Sequence, residues 1–441
     1  MIPPDLIRIL ESGTRPLVFR VGLADRPFHY TLAEPNRMLD QKATLPIQHG
    51  GNQSAIRARL RLGNRPLLDF SAPLNGLGPP AAALNAVRRT SESIGRYPEP
   101  GAPRLVERLA EWHNVPADRI LVGAGTTELI SLIGQAFRDD LLESADDLGD
   151  PQLPLSHLQE PTYGEYRRTA AQNGLRNKLW ENPTLGWEQD FAPDARAGIV
   201  WTGHPNNPTG RVWERGRLLE LIDRTPERGL TVVDEAYLPF LPDEADRTVV
   251  PVAAERDDLI VLRSMTKIYA IPGLRIGYAV ASPEILGKLR RCLQPWTVTT
   301  AAEYAAIACV DDEVYLARTI ELIAAESARL TDRLWDVPGL RPAWPSQIRP
   351  LSAPPMANFV LTSLVDTPWT SLQLQDTLAR RGLLVRECSN YAGLEAGAVV
   401  TGPDNLAFET RGHVRFCVRT PGENDLLVAT LHEVMRSDLK D

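Results

Sequence analysis

Four short polar clusters in this chain combine residue types that do chemistry, and each follows a run of apolar residues. Lys267 closes Arg263-Ser264-Met265-Thr266-Lys267, with Ser264 three residues earlier and Arg275 eight later in Pro272-Gly273-Leu274-Arg275-Ile276-Gly277. An amine at the end of an apolar strand, near a second cation, has a lowered pKa and suits a nucleophile or proton carrier beside a phosphate. Asp234, in Val233-Asp234-Glu235-Ala236-Tyr237, brings a carboxylate to the end of another such run, where it must be paired or solvated. The third cluster, His204-Pro205-Asn206-Asn207-Pro208-Thr209-Gly210, sets two asparagines between prolines, which either bind or simply make turns. Gly123-Ala124-Gly125-Thr126-Thr127 opens a helical pattern, and small residues there let backbone N–H groups and hydroxyls approach an anion. Taken alone, that stretch reads more readily as an ordinary helix start capped by Thr126 or Thr127.

The elements that must position these clusters follow from periodicity. Between Arg96 and Ala281, Ile199-Val200-Trp201, Leu230 to Val233 and Leu259 to Leu262 read as short buried strands. Helical spacing over Leu129 to Phe137 and Arg217 to Arg224 separates strands and implies a mostly parallel α/β sheet covered on both faces. Ligands of such sheets sit at the carboxyl ends of the strands, where the polar clusters stand. A long helix over Ala301 to Trp335 is expected next. Strands at Asn358 to Leu361, Leu383 to Cys388 and Val414 to Val418, with helices at Ser371 to Arg381 and Leu426 to Met435, indicate a smaller α+β domain. The expected organisation is an extension over 1–46, a small-domain segment over 47–95, a large domain over 96–305 and the rest of the small domain over 306–441. In the extension, Val18 to Val21 and His29 to Leu32 flank the turn-like Ala24-Asp25-Arg26-Pro27, a hairpin pattern with no chemistry attached. Pro73 to Pro80 and Pro345 to Pro355 read as connections.

Composition narrows the function. Of 441 residues, 48 are Lys or Arg and 56 Asp or Glu, a net charge of −8, which excludes nucleic acid or an anionic membrane as the main partner. No apolar run approaches the roughly 20 residues of a membrane helix, and Met1 to Thr14 mixes charges into its apolar stretch, unlike a signal peptide. Cys292, Cys309, Cys388 and Cys417 are too scattered for a zinc site or disulfide framework, so no metal and a reducing cytoplasm are expected.

In their order and spacing, the four clusters resemble those of the fold type I pyridoxal-phosphate enzymes of the class I/II aminotransferase family, over roughly Gln48 to the C-terminus. The resemblance implies the aspartate aminotransferase-like fold and pyridoxal 5'-phosphate as cofactor. It makes Lys267 the residue joined covalently to the cofactor aldehyde and Asp234 the partner of the protonated pyridine nitrogen. Tyr237 and Asn207 would bond the phenolic oxygen, and Tyr163, in Pro161-Thr162-Tyr163, would stack on the ring. Gly125, Thr126, Thr127, Ser264 and Arg275 would hold the phosphate. Tyr97, in Arg96-Tyr97-Pro98-Glu99, matches a tyrosine lent across a homodimer interface to the partner's cofactor.

Two branches of the family compete, and both act on small phosphorylated amines. Histidinol-phosphate aminotransferases share the Asp-Glu-Ala-Tyr and Asn-Asn-Pro-Thr-Gly motifs and arginines at the positions of Arg386 and Arg415. Threonine-phosphate decarboxylases are similar at further places, above all His49-Gly50-Gly51-Asn52, and also Asp69-Phe70-Ser71-Ala72, Pro295-Trp296-Thr297-Val298 and Asn390-Tyr391. His49, Asn52, Arg386, Arg415 and Arg419 are therefore the expected substrate contacts. Arg415 and Arg419 are expected at i and i+4 of one strand, facing one way, where with Arg386 they would clamp a carboxylate and a phosphate. If they hold the substrate carboxylate, transamination follows; if they hold the phosphate, the carboxylate is free to leave as carbon dioxide. The chain departs from the decarboxylase pattern at Ala124 and Pro73, where asparagines are usual, and in the inserted-looking stretch Ala396 to Gly412. A non-enzymatic regulator would need an attached basic helix-turn-helix, a pattern absent from the leading 46 residues.

Overall fold

The computed structural model describes residues 20–23, 26–29, 49–181, 197–342, 357–397, 399–401 and 407–437. The chain divides into two units, Met1–Asp40 and Gln41–Asp441. In the first, strands β1 (Arg20–Leu23) and β2 (Arg26–His29) pair antiparallel, with Arg20 opposite His29. This hairpin is tighter than the sequence suggests, because Arg26 and Pro27 join the second strand; in a two-stranded ribbon every position is an edge, so proline is tolerated there. The expected turn residues Ala24 and Asp25, the stretch Met1 to Thr14 and Pro345 to Pro355 lie outside the described residues.

In the second unit, the helix Gln53–Leu60 and β3 (Leu68–Asp69) precede a seven-stranded sheet. Its members are β4 (Ile120–Gly123), β5 (Ser156–Glu160), β6 (Asn177–Glu181), β7 (Ala197–Gly203), β8 (Arg228–Asp234), β9 (Leu259–Ser264) and β10 (Gly277–Val280), in the spatial order β4-β10-β9-β8-β7-β5-β6. All neighbours are parallel except β10, which runs antiparallel to both β4 and β9. Alternate residues enter opposite layers: Val200, Val233 and Val261 pack in one core, and Ile199, Trp201, Val232 and Ile260 in the other. Apolar packing on both faces leaves strand ends as the place for charge. The carboxyl ends Gly123, Glu160, Gly203, Asp234 and Ser264 share one sheet edge. This topology converts four sequence-distant clusters into neighbours.

A second sheet, of four strands, contains β11 (Leu340–Pro342) and β12 (Phe359–Leu364). The run Leu383 to Cys388, expected as one strand, splits into β13 (Leu383–Leu384) and β14 (Arg386–Glu387). β13 pairs in parallel with β3, so the segment changes sheets at Val385. The stretch Ala396 to Gly412 includes a hairpin, β15 (Val399–Thr401) against β16 (Ala407–Glu409), and β17 (His413–Cys417) completes the order β11-β12-β17-β14. The long helix expected over Ala301 to Trp335 is two, Thr300–Val310 and Glu313–Trp335. Asp312 interrupts it by accepting the Tyr315 N–H (3.0 Å), the hydrogen bond of an N-cap.

One buried ion-pair network braces the sheet beside Asp234. The Arg263 guanidinium, 1% exposed, reaches Glu235 (2.7 Å, 0% exposed) and Glu244 (2.6 Å) and donates to Thr248 (2.7 Å). Removing one member strands the others in a dry interior. Arg263→Met is expected to destabilise the fold by roughly 3–5 kcal/mol, read from the denaturation midpoint; an unchanged midpoint would contradict this account of the network.

Candidate active site

Lys267 does not end β9, as its position after an apolar run suggests, but lies in the one-turn helix Met265–Ile268 that follows it. Its Nζ donates to Thr266 Oγ1 (3.1 Å) and Ser264 Oγ (3.4 Å). Burial pulls the amine down to about 8; Asp234 opposes the shift, and the charges of Arg275 and Arg415 reinforce it. The turn is anchored from outside by Asn75, whose backbone N–H donates to the Lys267 carbonyl (3.1 Å) and whose side chain donates to Ile268 O (2.8 Å) and Thr319 Oγ1 (2.7 Å).

Asp234 ends β8 and is buried. Its Oδ1 accepts the Ala236 N–H (3.0 Å) and its Oδ2 accepts the phenol of Tyr166 (2.8 Å), a residue to which the sequence reading assigned no role. Burial raises the Asp234 pKa, while the two hydrogen bonds and Lys267 favour the ionised form. Tyr237, three residues on, is buried with its ring edge against Phe359 (5.1 Å, 82°) and lies beneath the Lys267 ammonium at 6.0 Å. The two neighbouring asparagines have separate tasks. Asn206 is locked by Pro161 O (2.9 Å), Thr209 Oγ1 (2.9 Å) and Thr162 Oγ1 (2.8 Å). Asn207 Oδ1 instead accepts from Arg415 and from the Tyr391 phenol (3.4 Å).

The anion cradle differs locally from expectation. The N-cap of the Thr126–Ala136 helix is Gly125, at φ +88°, with neither Thr126 nor Thr127 acting as cap. Glycine tolerates this left-handed backbone and leaves room: an added Cβ would come within 2.7 Å of Arg275 Nη2. The guanidinium therefore lies against a bare turn at a helix N-terminus. Thr127 Oγ1 lies 3.4 Å from the Tyr163 phenol oxygen. A carboxylate also shapes the turn, since Glu128 accepts the Ala124 N–H (2.6 Å) and the Thr297 hydroxyl. Tyr97 sits apart, 80% exposed and packed on Trp296 at 4.6 Å between ring centroids.

In the four-stranded sheet, Arg386 and Arg415 are direct cross-strand partners in β14 and β17, and both are 3% exposed. Arg415 donates to Ser71 O (2.9 Å) and to Asn207, and Arg386 donates to Asn390 Oδ1 (2.6 Å). Like charges directly opposite on a sheet repel, and among the described residues Arg415 has no carboxylate partner. Arg419 is a correction. β17 stops at Cys417, so Arg419 is not at i+4 of a strand with Arg415; its guanidinium pairs with Glu423 (3.0 Å) and donates to Asp69 O (3.2 Å). Asn52 is exposed, and its side chain accepts the Ala55 N–H (3.1 Å) as the N-cap of the Gln53–Leu60 helix. His49 Nε2 pairs with Glu165 Oε1 (2.8 Å), and the ring borders a small open cleft lined also by Tyr163, Arg167, Asn390 and Tyr391.

A lowered-pKa amine, a buried carboxylate, a side-chain-free anion cradle and two buried arginines thus occupy one region. The model of the family described as aminotransferase class I and II matches residues 67–431. The chain belongs to this family. Its cofactor is pyridoxal 5'-phosphate, and the residues at the sheet edge fit that group: the cradle suits its phosphate, Asp234 a protonated ring nitrogen, and Lys267 an aldehyde. The chain is 30% identical to the threonine-phosphate decarboxylase of Salmonella typhimurium over 88% of its length and 96% of that protein. It is 32% identical to the histidinol-phosphate aminotransferase of Symbiobacterium thermophilum over 84% of its length and 91% of that protein. The solved histidinol-phosphate aminotransferase of Sinorhizobium meliloti, in complex with pyridoxal-5'-phosphate, shares the fold at 22% identity, with a TM-score of 0.69 over 87% of this chain and 94% of that one. The expected aspartate aminotransferase-like α/β fold is the fold of the family.

Two results are expected here. Lys267→Ala is expected to lack the visible absorbance that the wild-type protein gains on mixing with pyridoxal phosphate; an equal band in the variant would contradict the role of Lys267. Only the neutral amine reacts, so the rate of cofactor uptake by the apoprotein is expected to rise with pH and level off above about 8. A rate still climbing near pH 10, as for an ordinary lysine, would contradict the lowered pKa.

Proposed function

We propose that this enzyme decarboxylates L-threonine phosphate to aminopropanol phosphate, acting as a cytoplasmic homodimer. The observation that carries this reading is how His49-Gly50-Gly51-Asn52 is built into the site. An added Cβ on Gly50 would come within 2.1 Å of Ser71 O, and the Gly51 N–H donates to Ser71 Oγ (2.7 Å). Ser71 O in turn receives Arg415. The turn that resembles the decarboxylase branch is thereby coupled to a substrate arginine instead of serving as a linker. The homodimer is supported by the exposed group Ile94 (86%), Tyr97 (80%) and Trp296 (46%), apolar surface suited to a second copy that Tyr97 would reach. Four free cysteines, and the lack of any membrane-crossing helix among the described residues, support the cytoplasm.

When bound, the cofactor supplies an electron sink that lets one bond at the amine-bearing carbon break. Asp234 would keep the ring nitrogen protonated, Tyr163 would cover the ring, and Tyr237 and Asn207 would bond the phenolic oxygen. Gly125, Thr126, Thr127, Ser264 and Arg275, with the partner's copy of Tyr97, would hold the phosphate. Arg386 and Arg415 would take the substrate phosphate, with His49 at the cleft wall, leaving the carboxylate free to depart. Lys267 Nζ would deliver a proton to the carbon that gives up the carboxylate.

The second reading, a transaminase of histidinol-phosphate type using glutamate, is favoured by the 32% identity to such an enzyme. Incubation with threonine phosphate alone is expected to release carbon dioxide. Glutamate formed from histidinol phosphate plus 2-oxoglutarate, with no carbon dioxide from the first mixture, would sink the decarboxylase reading. Arg386→Lys and Arg415→Lys each lose a fork of charge-assisted hydrogen bonds and are expected to raise KM for the phosphorylated substrate roughly 10- to 100-fold. An unchanged KM would remove these arginines from the site.

A further inference from the structure

Tyr166 lies in the Gly164–Gln172 helix and is 2% exposed. Its ring stacks on Trp201 (5.3 Å, 12°) and meets Tyr163 edge-on (5.6 Å, 84°), so its orientation is fixed from two sides. Its phenol donates to Asp234 Oδ2 at 2.8 Å. The other carboxylate oxygen is served by the Ala236 backbone, so Tyr166 is the side-chain donor to Asp234. Lys267 and the phenols of Tyr163 and Tyr237 complete the titratable groups facing Asp234. The nearby Arg263 is committed to Glu235 and Glu244.

We propose that Tyr166 is a positioning residue that keeps Asp234 ionised and aimed, and so sets how low the pH can fall before the protein releases its cofactor. The inference rests on the reading that Asp234 holds the ring nitrogen. A buried carboxylate drifts toward its neutral form, which cannot pair with a pyridinium. A hydrogen bond donated to the charged form opposes that drift, and the Trp201 platform directs it at Oδ2. Taking the hydroxyl away raises the Asp234 pKa, so on acidification the ionised form is lost at a higher pH. Lys267 and the phosphate cradle are the same in both proteins and cancel in the comparison.

The test is cofactor binding to the apoprotein, followed by absorbance from pH 8 down to pH 4.5, in wild type, Tyr166→Phe and Asp234→Asn. Phenylalanine keeps the stacking and removes only the hydroxyl. Tyr166→Phe is expected to move the release midpoint up by about one pH unit, with about tenfold weaker binding in the acid range and near-wild-type binding at pH 8. Placing 3-fluorotyrosine at 166, a stronger donor of the same shape, is expected to move the midpoint down. A wild-type midpoint in both proteins overturns the proposal, and so does a loss of affinity equal at every pH, the mark of a packing role. If the phenylalanine variant fails to fold, the fluorotyrosine protein decides alone. Wild-type binding by Asp234→Asn would defeat the Asp234 reading itself; impaired binding there with no shift in the Tyr166 proteins would defeat only this inference.

Discussion

The site depends on the burial of Asp234 at the end of a strand whose sides are both packed in apolar layers. Such a carboxylate survives only with partners, and each partner is a feature of the site. The Ala236 N–H fixes the turn after β8, Tyr166 fixes the helix after β5, and Lys267 supplies the opposite charge from the turn after β9. The mostly parallel sheet makes this possible by bringing the carboxyl ends of six of its seven strands to one edge. Burial and two further cations then pull the Lys267 amine down to about 8, although the adjacent Asp234 acts to raise it. The same desolvation that strains the carboxylate prepares the amine.

A chain of net charge −8 also concentrates cations here. Arg275 rests against the bare Gly125 turn, and Arg386 faces Arg415 across β14 and β17. Two guanidinium groups buried in direct register repel one another and need acceptors close by; Asn207 and Ser71 O serve Arg415, and Asn390 serves Arg386. The turn at His49 is fastened to Arg415 through Ser71, so the segment before β3 belongs to the same apparatus.

Much of this was legible in the sequence. The apolar runs that became β7, β8 and β9 were clear because a strand buried on both faces needs nearly every residue apolar, and the clusters after them mark its ends. What failed depended on where elements stop. Arg419 was assigned to a strand, but β17 ends two residues earlier and a capping box begins at Thr420. Leu383 to Cys388 reads as one run although it serves two sheets. Asp312 broke a helix that apolar spacing carried straight through. Gly125 took the capping position expected of a threonine because the turn needs a positive φ. Tyr166 left no local signal, since its meaning comes from a carboxylate 68 residues away that only the sheet brings near.

The chemistry of the site turns on the identity of the lysine. The chain has five, Lys42, Lys178, Lys267, Lys288 and Lys440, and among the described residues only Lys267 lies at the sheet edge with Asp234, Ser264 and Arg275. Reduction of the cofactor-loaded protein with borohydride, followed by proteolysis and mass spectrometry, locates the pyridoxyl group directly. The result predicted is one modified peptide, carrying the group on Lys267. A stoichiometric label on any of the other four, with Lys267 free, would contradict the site described here.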